Sequence, residues 1–144
     1  MYILMELLRG GELLDRLIDG PGALAEPDAA RVMAQLLRAL GALHESGVIH
    51  RDVKPENLLF KTPSPDSGVV LTDFGLSLVV GQPDLIPEAA GTFGYAAPEV
   101  LEDRHYTPAC DVWSAGVVPV TYPMILQSTF LRLDALLFTS WSMA

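Results

Sequence analysis

The chain has 144 residues, half of them hydrophobic, which is enough for one small domain with a core and excludes low-complexity disorder. Eighteen acidic residues against nine basic ones give a net charge of −9, which removes nucleic acid from the expected partners, because a phosphate backbone needs a basic face. The single cysteine, Cys110, excludes an intrachain disulfide framework and reads as a small buried hydrophobe. The first residues lack the basic region and long apolar stretch of a signal peptide, so a cytoplasmic or nuclear setting is expected.

In chain order, Met1 to Leu8 is an apolar run closed by Arg9-Gly10-Gly11 and predicts a short buried strand ending in a turn. Leu13, Leu14, Leu17 and Ile18 keep helical spacing, so a short helix follows, stopped by Gly20-Pro21-Gly22. The clearest helix runs from about residue 27 to 46. Pro27 suits its first turn, and Glu26 and Asp28 favour the positive end of its dipole. Val32, Met33, Leu36, Leu37, Leu40 and Leu43 make its apolar face, and Gly47 is its stop.

Val48-Ile49, Leu58-Leu59-Phe60 and Val69-Val70-Leu71 then predict short strands. Residues 61–68, rich in Pro, Ser and Asp, predict the loop of a hairpin joining the last two. Thr62-Pro63 and Ser64-Pro65 within it match proline-directed phosphorylation sites, and turn chemistry explains them equally well. Residues 80–98 carry little periodicity and predict a long functional loop. Val100-Leu101-Glu102 reads as a helical turn, and an apolar helix starts at Asp111 and is interrupted by Pro119 and Pro123. The uncharged run from Val112 to Leu131 raises the question of a membrane span, against which two prolines, a Gln and several hydroxyls argue. Tyr106, Trp113 and Trp141 read as core residues, His44 as a helix-end residue and His50 as a packing residue.

Three motifs carry chemistry. His50-Arg51-Asp52-Val53-Lys54-Pro55-Glu56-Asn57 follows the long helix, Asp73-Phe74-Gly75 closes a strand, and Ala97-Pro98-Glu99 follows the long loop. They match H-R-D-x-x-x-x-N, D-F-G and A-P-E in order. On these residues the chain resembles the C-terminal lobe of a eukaryotic protein kinase. The implied fold is α+β and mainly helical, a partial kinase-like fold. The implied reaction is transfer of the ATP γ-phosphate to a protein hydroxyl with Mg2+. Asp52 would orient that hydroxyl and accept its proton, Lys54 would steady the transferred phosphate, and Asn57 and Asp73 would supply oxygen ligands to magnesium.

The Asp52-Val53-Lys54-Pro55-Glu56-Asn57 form and Thr92 after Gly91 point to the serine/threonine branch. The same resemblance places Met5, Glu6 and Leu8 at the adenine-binding hinge, Leu59 beneath the adenine, and Glu12 and Glu56 near the ribose or a substrate arginine. It implies that Asp111 anchors the backbone of the catalytic loop. Gly10-Gly11-Glu12-Leu13-Leu14-Asp15-Arg16-Leu17, Asp73-Phe74-Gly75-Leu76-Ser77 and Asp111-Val112-Trp113-Ser114-Ala115-Gly116 are similar to the calcium/calmodulin-dependent group, and within it to the plant and protist calcium-dependent kinases. Many of these take basic substrates, which the charge of −9 suits. Arg51 usually pairs with a phosphorylated activation-loop residue, and Glu88 stands where a carboxylate would replace that phosphate.

The resemblance covers residues 1–118 and leaves 119–144 as a divergent apolar tail. The sequence holds no Gly-rich loop and no strand Lys for the ATP phosphates, so those elements are expected from a longer chain and this stretch is expected to be inactive alone. The alternative is a kinase-like module that binds substrates or regulators without transferring phosphate.

Overall fold

A computed structural model describes residues 2, 4–19, 24–81, 90–102 and 106–121. Helix α1 spans Leu13–Asp19 and α2 spans Glu26–Glu45. Strands β1 (Val48–Ile49), β2 (Leu58–Phe60), β3 (Val69–Leu71) and β4 (Leu78–Val79) follow, and then helices α3 (Pro98–Leu101) and α4 (Ala109–Thr121). Short 3₁₀ turns sit at Pro55–Asn57 and Phe93–Tyr95. The architecture is the expected α+β, mainly helical.

Helix α2 is the spine. Its N-cap is Ala25, which gives no side-chain cap, so the start rests on Pro27 and on Glu26 and Asp28 in the positive first turn. Its far end is closed by Ser46, whose Oγ donates to Ala42 O at 2.9 Å, and by Gly47 at φ 71°. Val32, Leu36 and Leu40 enter the core with Leu13 and Leu17 of α1, Val53, Leu58, Phe60 and Leu71, and with Ala115 and Val118 of α4. A smaller cluster of Ile49, Ala97, Val100 and Cys110 holds α3 against β1 and α4.

The strands form two antiparallel ladders, one nested inside the other. Leu58 pairs with Leu71 and Phe60 with Val69 in the inner hairpin, as expected. Val48 pairs with Val79 and Ile49 with Leu78 in the outer ladder. Strand β4 lies just ahead of the segment read as an extended loop. The sequence marks no strand at Leu78-Val79, whose pairing partners lie far earlier in the chain.

Several expectations are corrected. The N-terminal run is not a buried strand: Leu4 is 100% and Met5 81% exposed, and no ladder includes them. Past that run, Arg9 N donates to Lys61 O at 3.0 Å, just beyond β2, and Gly10 N donates to Phe60 O at 2.9 Å, at its end. A strand needs a neighbouring edge, and apolar residues alone do not provide one. Helix α4 starts two residues earlier than expected and passes Pro119. A proline in the last turn forfeits one hydrogen bond, and Ala115 and Val118, both fully buried, hold the helix to the core. Trp113 lies on the outer face of α4 and is 48% exposed, so it is not a core residue. Among the described residues no helix is long and apolar enough to cross a membrane. The tail beyond residue 121, Trp141 and the Gly20-Pro21-Gly22 stop lie outside the described residues.

Candidate active site

The segment between β1 and the inner hairpin, residues 50–57, is held from below by one buried carboxylate. Asp111, 1% exposed near the start of α4, accepts from His50 N at 2.8 Å on Oδ2 and from Arg51 N at 2.8 Å on Oδ1. His44 Nε2 lies 2.9 Å from the same Oδ2. Arg51 needs this grip, because its φ of 68° is a left-handed conformation that an Arg adopts only under constraint. The expected anchoring role of Asp111 is therefore visible in its hydrogen bonds. His44 is more than a helix-end residue, and its sequence neighbours gave no sign of a partner 67 positions away. His50 is a packing residue, as expected: it is fully buried, Nε2 meets Thr72 O at 3.0 Å, and its ring lies edge-on to Phe74 with centroids 5.1 Å apart.

Above this anchor, Asp52, Lys54, Asn57 and Thr92 converge. Asp52 Oδ1 accepts from Thr92 Oγ1 at 2.7 Å. Asp52 Oδ2 meets Lys54 Nζ at 2.7 Å and Asn57 Nδ2 at 3.1 Å. Lys54 Nζ also donates to Thr92 Oγ1 at 2.9 Å, and Asn57 Nδ2 to Asp52 O at 2.7 Å. Burial pushes the Asp52 carboxyl up, but the hydrogen bonds from Lys54 and Thr92, the Lys54 charge and the Asn57 bond outweigh it and hold the group below the usual range. Thr92 reaches the site because Gly91 turns the chain at φ 115°, where a Cβ would lie 2.5 Å from Arg51 O.

Asp73 stands at the open end of the inner hairpin. The neighbouring Thr72 donates to Asn57 O through N (2.9 Å) and Oγ1 (3.1 Å), which places the Asp73 and Asn57 loops side by side. Asp73 has φ 62°, and its Oδ1 accepts from Gly75 N at 3.1 Å, an Asx-type turn that stabilises the left-handed backbone. A cleft of about 450 Å³ opens beside it, lined by Met5, Glu6, Leu8, Leu59, Asp73 and Phe74 among others. Glu12 flanks the cleft through its bridge to Leu59. Five of the expected nucleotide-contacting residues thus share one apolar hollow, of a size that suits a small-molecule site. Glu56 is separate, on the 3₁₀ turn, and its Oε2 is buried without a hydrogen-bond partner among the described residues.

Arg51 turns away from Asp52. Its Nε donates to Leu76 O at 2.6 Å and its guanidinium carbon lies 4.8 Å from the centre of the Tyr106 ring, while Nη1 is buried without a hydrogen-bond partner among the described residues. Glu88, its expected counter-charge, lies outside the described residues. Tyr106 Oη in turn accepts from Ala90 N at 2.8 Å, and Ser114 Oγ donates to Tyr95 O at 2.7 Å, so the segment after residue 90 is tied to α4. Neither link is signalled in the sequence, since both bonds end on backbone groups.

The residues fit magnesium and a nucleotide. Asn57 commits its amide nitrogen to Asp52, which leaves the amide oxygen as the group a hard cation would take. Asp73 adds a carboxylate from the adjacent loop. Among the described residues no group of three or more His, Cys, Asp or Glu is placed to hold a metal ion. A pair of protein oxygens is what a cation completed by phosphate oxygens and water requires.

Comparison with known proteins bears on the same residues. The pattern described as "Protein kinase domain" matches residues 1–134. Calcium/calmodulin-dependent protein kinase type IV of Homo sapiens is 47% identical over 116 residues, covering 81% of this chain and 24% of that protein. Calcium/calmodulin-dependent protein kinase type 1B of Rattus norvegicus is 47% identical over 118 residues, covering 82% of this chain and 34% of that protein. Calcium/calmodulin-dependent protein kinase type 1 of Caenorhabditis elegans is likewise 47% identical over 118 residues, 82% of this chain and 33% of that protein. The chain therefore spans between a quarter and a third of the length of these relatives.

Proposed function

The chain belongs to the protein kinase family, as a partial domain of the calcium/calmodulin-dependent serine/threonine group, and on that premise we propose that it supplies the catalytic loop and metal-binding segment for moving the ATP γ-phosphoryl group to a protein Ser or Thr hydroxyl. The observation that carries this reading is the convergence of Lys54, Thr92 and Asn57 on the Asp52 carboxylate. The cleft would hold ATP, and Asp73 and Asn57 would hold Mg2+, whose charge would neutralise the phosphate oxygens.

The chain's own residues do the rest. Asp52, ionised at neutral pH, orients the incoming hydroxyl and accepts its proton. Lys54 spends two donors on Asp52 and Thr92 and has a third for a phosphate oxygen as charge spreads over it. Thr92 keeps both groups in register. Basic residues on the substrate are supported by the charge of −9. The buried Nη1 of Arg51 supports a permanent anion such as Glu88 opposite it, which would make activity independent of activation-loop phosphorylation. Glu88→Ala should then lower activity of the full-length gene product, and unchanged activity would sink that idea.

The test is phosphorylation of a basic Ser peptide with Mg-ATP by the full-length gene product, with and without Asp52→Asn. Loss of 100-fold or more in turnover, with peptide binding kept, supports the reading. Peptide binding without transfer in either protein would establish the non-catalytic module instead. The 144-residue stretch by itself should show little or no turnover, since it contains neither a Gly-rich loop nor a strand Lys motif.

A further inference from the structure

The loop between β2 and β3 presents two exposed hydroxyl residues, each followed by proline: Thr62-Pro63 and Ser64-Pro65. The loop is braced. Ser67 N donates to Ser64 O at 3.1 Å, closing a turn with Pro65 and Asp66 at its corners. Arg16 of α1 donates to Thr62 O at 2.9 Å and to Ser64 O at 3.2 Å, with its guanidinium carbon 3.5 Å from the centre of the Phe60 ring. Arg31 of α2 donates to Pro65 O at 3.4 Å and pairs with Asp66 at 3.3 Å.

The two arginines differ in what balances their charge. Arg31 lies against two carboxylates, Asp28 at 2.7 Å and Asp66 at 3.3 Å. Arg16 has only carbonyl oxygens, those of Gly10, Thr62 and Ser64, and forms no ion pair among the described residues. A planar guanidinium held by a ring and two loop carbonyls is preorganised for a bidentate anion. The place where an anion would satisfy it is the side chain of the loop-tip serine whose carbonyl it already touches.

We propose that Ser64 is a phosphorylation site, read as Ser-Pro by a proline-directed protein kinase acting in trans, and that Arg16 is the cation that receives the phosphate. In that step the Ser64 Oγ–P bond forms as the bond from the γ-phosphorus of ATP to ADP breaks, and the hydroxyl proton passes to the modifying enzyme's base. Ser64 is favoured over Thr62 by its surroundings. Thr62 N is held by Ser67 Oγ at 2.9 Å, next to the Lys61–Gly68 pairing that ends the hairpin. Ser64 sits at the tip, where drawing the acceptor out costs the turn bond and the Arg16 contact. The product would fasten the hairpin to α1, and the far end of that hairpin carries Asn57 and Asp73.

The experiment treats the full chain with a proline-directed kinase and Mg-ATP, locates the phosphate by mass spectrometry, and titrates it by phosphorus NMR. Incorporation at Ser64 is expected, lost in Ser64→Ala and kept in Thr62→Val. The second phosphate pKa, near 6 for a free phosphoserine, is expected to fall by about half a unit or more in the folded protein. The same phosphoprotein in urea supplies the reference. Arg16→Gln should bring the value back up and Arg16→Lys should keep most of the shift. Phosphate on Thr62 alone, no incorporation at Ser64, or a folded-state value equal to that in urea would each overturn the proposal.

Discussion

Replacing Asp111 by Ala should unfasten residues 50–57 and cost much of the domain's stability. The carboxylate accepts from two backbone N–H groups, His50 and Arg51, and faces the His44 ring. Alanine leaves both N–H groups facing a small void, at about 1–3 kcal/mol each, and removes a buried charge-assisted contact besides. The strained left-handed backbone of Arg51 works the other way: it is present in the wild type too, and its release on losing the two bonds would return about 1 kcal/mol. A loss of about 3–5 kcal/mol is expected, against a total of about 5–15 kcal/mol for a typical domain. At about 1.5 kcal/mol per molar of urea, the unfolding midpoint should drop by about 2–3 M. Asp111→Asn should recover little of this, because its NH2 group must face a donor. Hydrogen exchange at the His50 and Arg51 amides should accelerate before global unfolding. A midpoint shift below about 0.5 M, or unchanged exchange at those two amides, would refute the view that one side chain holds this loop.

The Asp52 carboxyl is held below its ordinary value, so its pairing stabilises the fold at pH values above about 4 and the contribution is lost as pH falls through the folded value. The stability difference between wild type and Asp52→Asn, read from urea midpoints, should shrink in acid, and a constant difference from pH 7 to pH 3 would contradict this. Cys110 is buried, and burial first, then the charges of Asp111 and Glu99, push its thiol up to about 12. Native protein at pH 8 should react with a thiol reagent at least 100-fold slower than urea-unfolded protein; comparable rates would show an open site. Gly91→Ala must push against Arg51 O and adopt a positive φ, so Thr92 should leave Asp52 and the urea midpoint should fall by the equivalent of about 1–3 kcal/mol; a wild-type midpoint would mean the turn is not required.

Local chemistry decided which elements could be read beforehand. Helix α2 announces itself through Pro27, Glu26, Asp28 and the spacing of Val32, Leu36 and Leu40, all of which act within a few residues of one another. The inner hairpin is equally legible, since a polar Pro-containing loop separates two short apolar runs. What escaped depends on partners far along the chain. Strand β4 exists because Val48 and Ile49 offer an edge, and the run before Leu8 is not a strand because no edge faces it among the described residues. Residue identities in the motif at residues 50–57 point to Asp52, Lys54 and Asn57, but only the geometry shows Lys54 and Thr92 bridging to the same carboxylate. The bond between His44 and Asp111 has no local signature at all.

The nested ladders set a rule for insertions and deletions. Between β1 and β2 run residues 50–57, and between β3 and β4 run residues 72–77; both spans are pinned at each end by strand pairing. One residue more or less in either span must either bulge out of the loop that carries the site or slip one ladder by a residue, and such a slip turns that strand's side chains to the opposite face. The tip of the inner hairpin, residues 61–68, has no such obligation and can lengthen at an entropic cost that grows only logarithmically. Length variation among natural versions of this unit should therefore collect at the tip, whereas the two inner spans should hardly ever change in length.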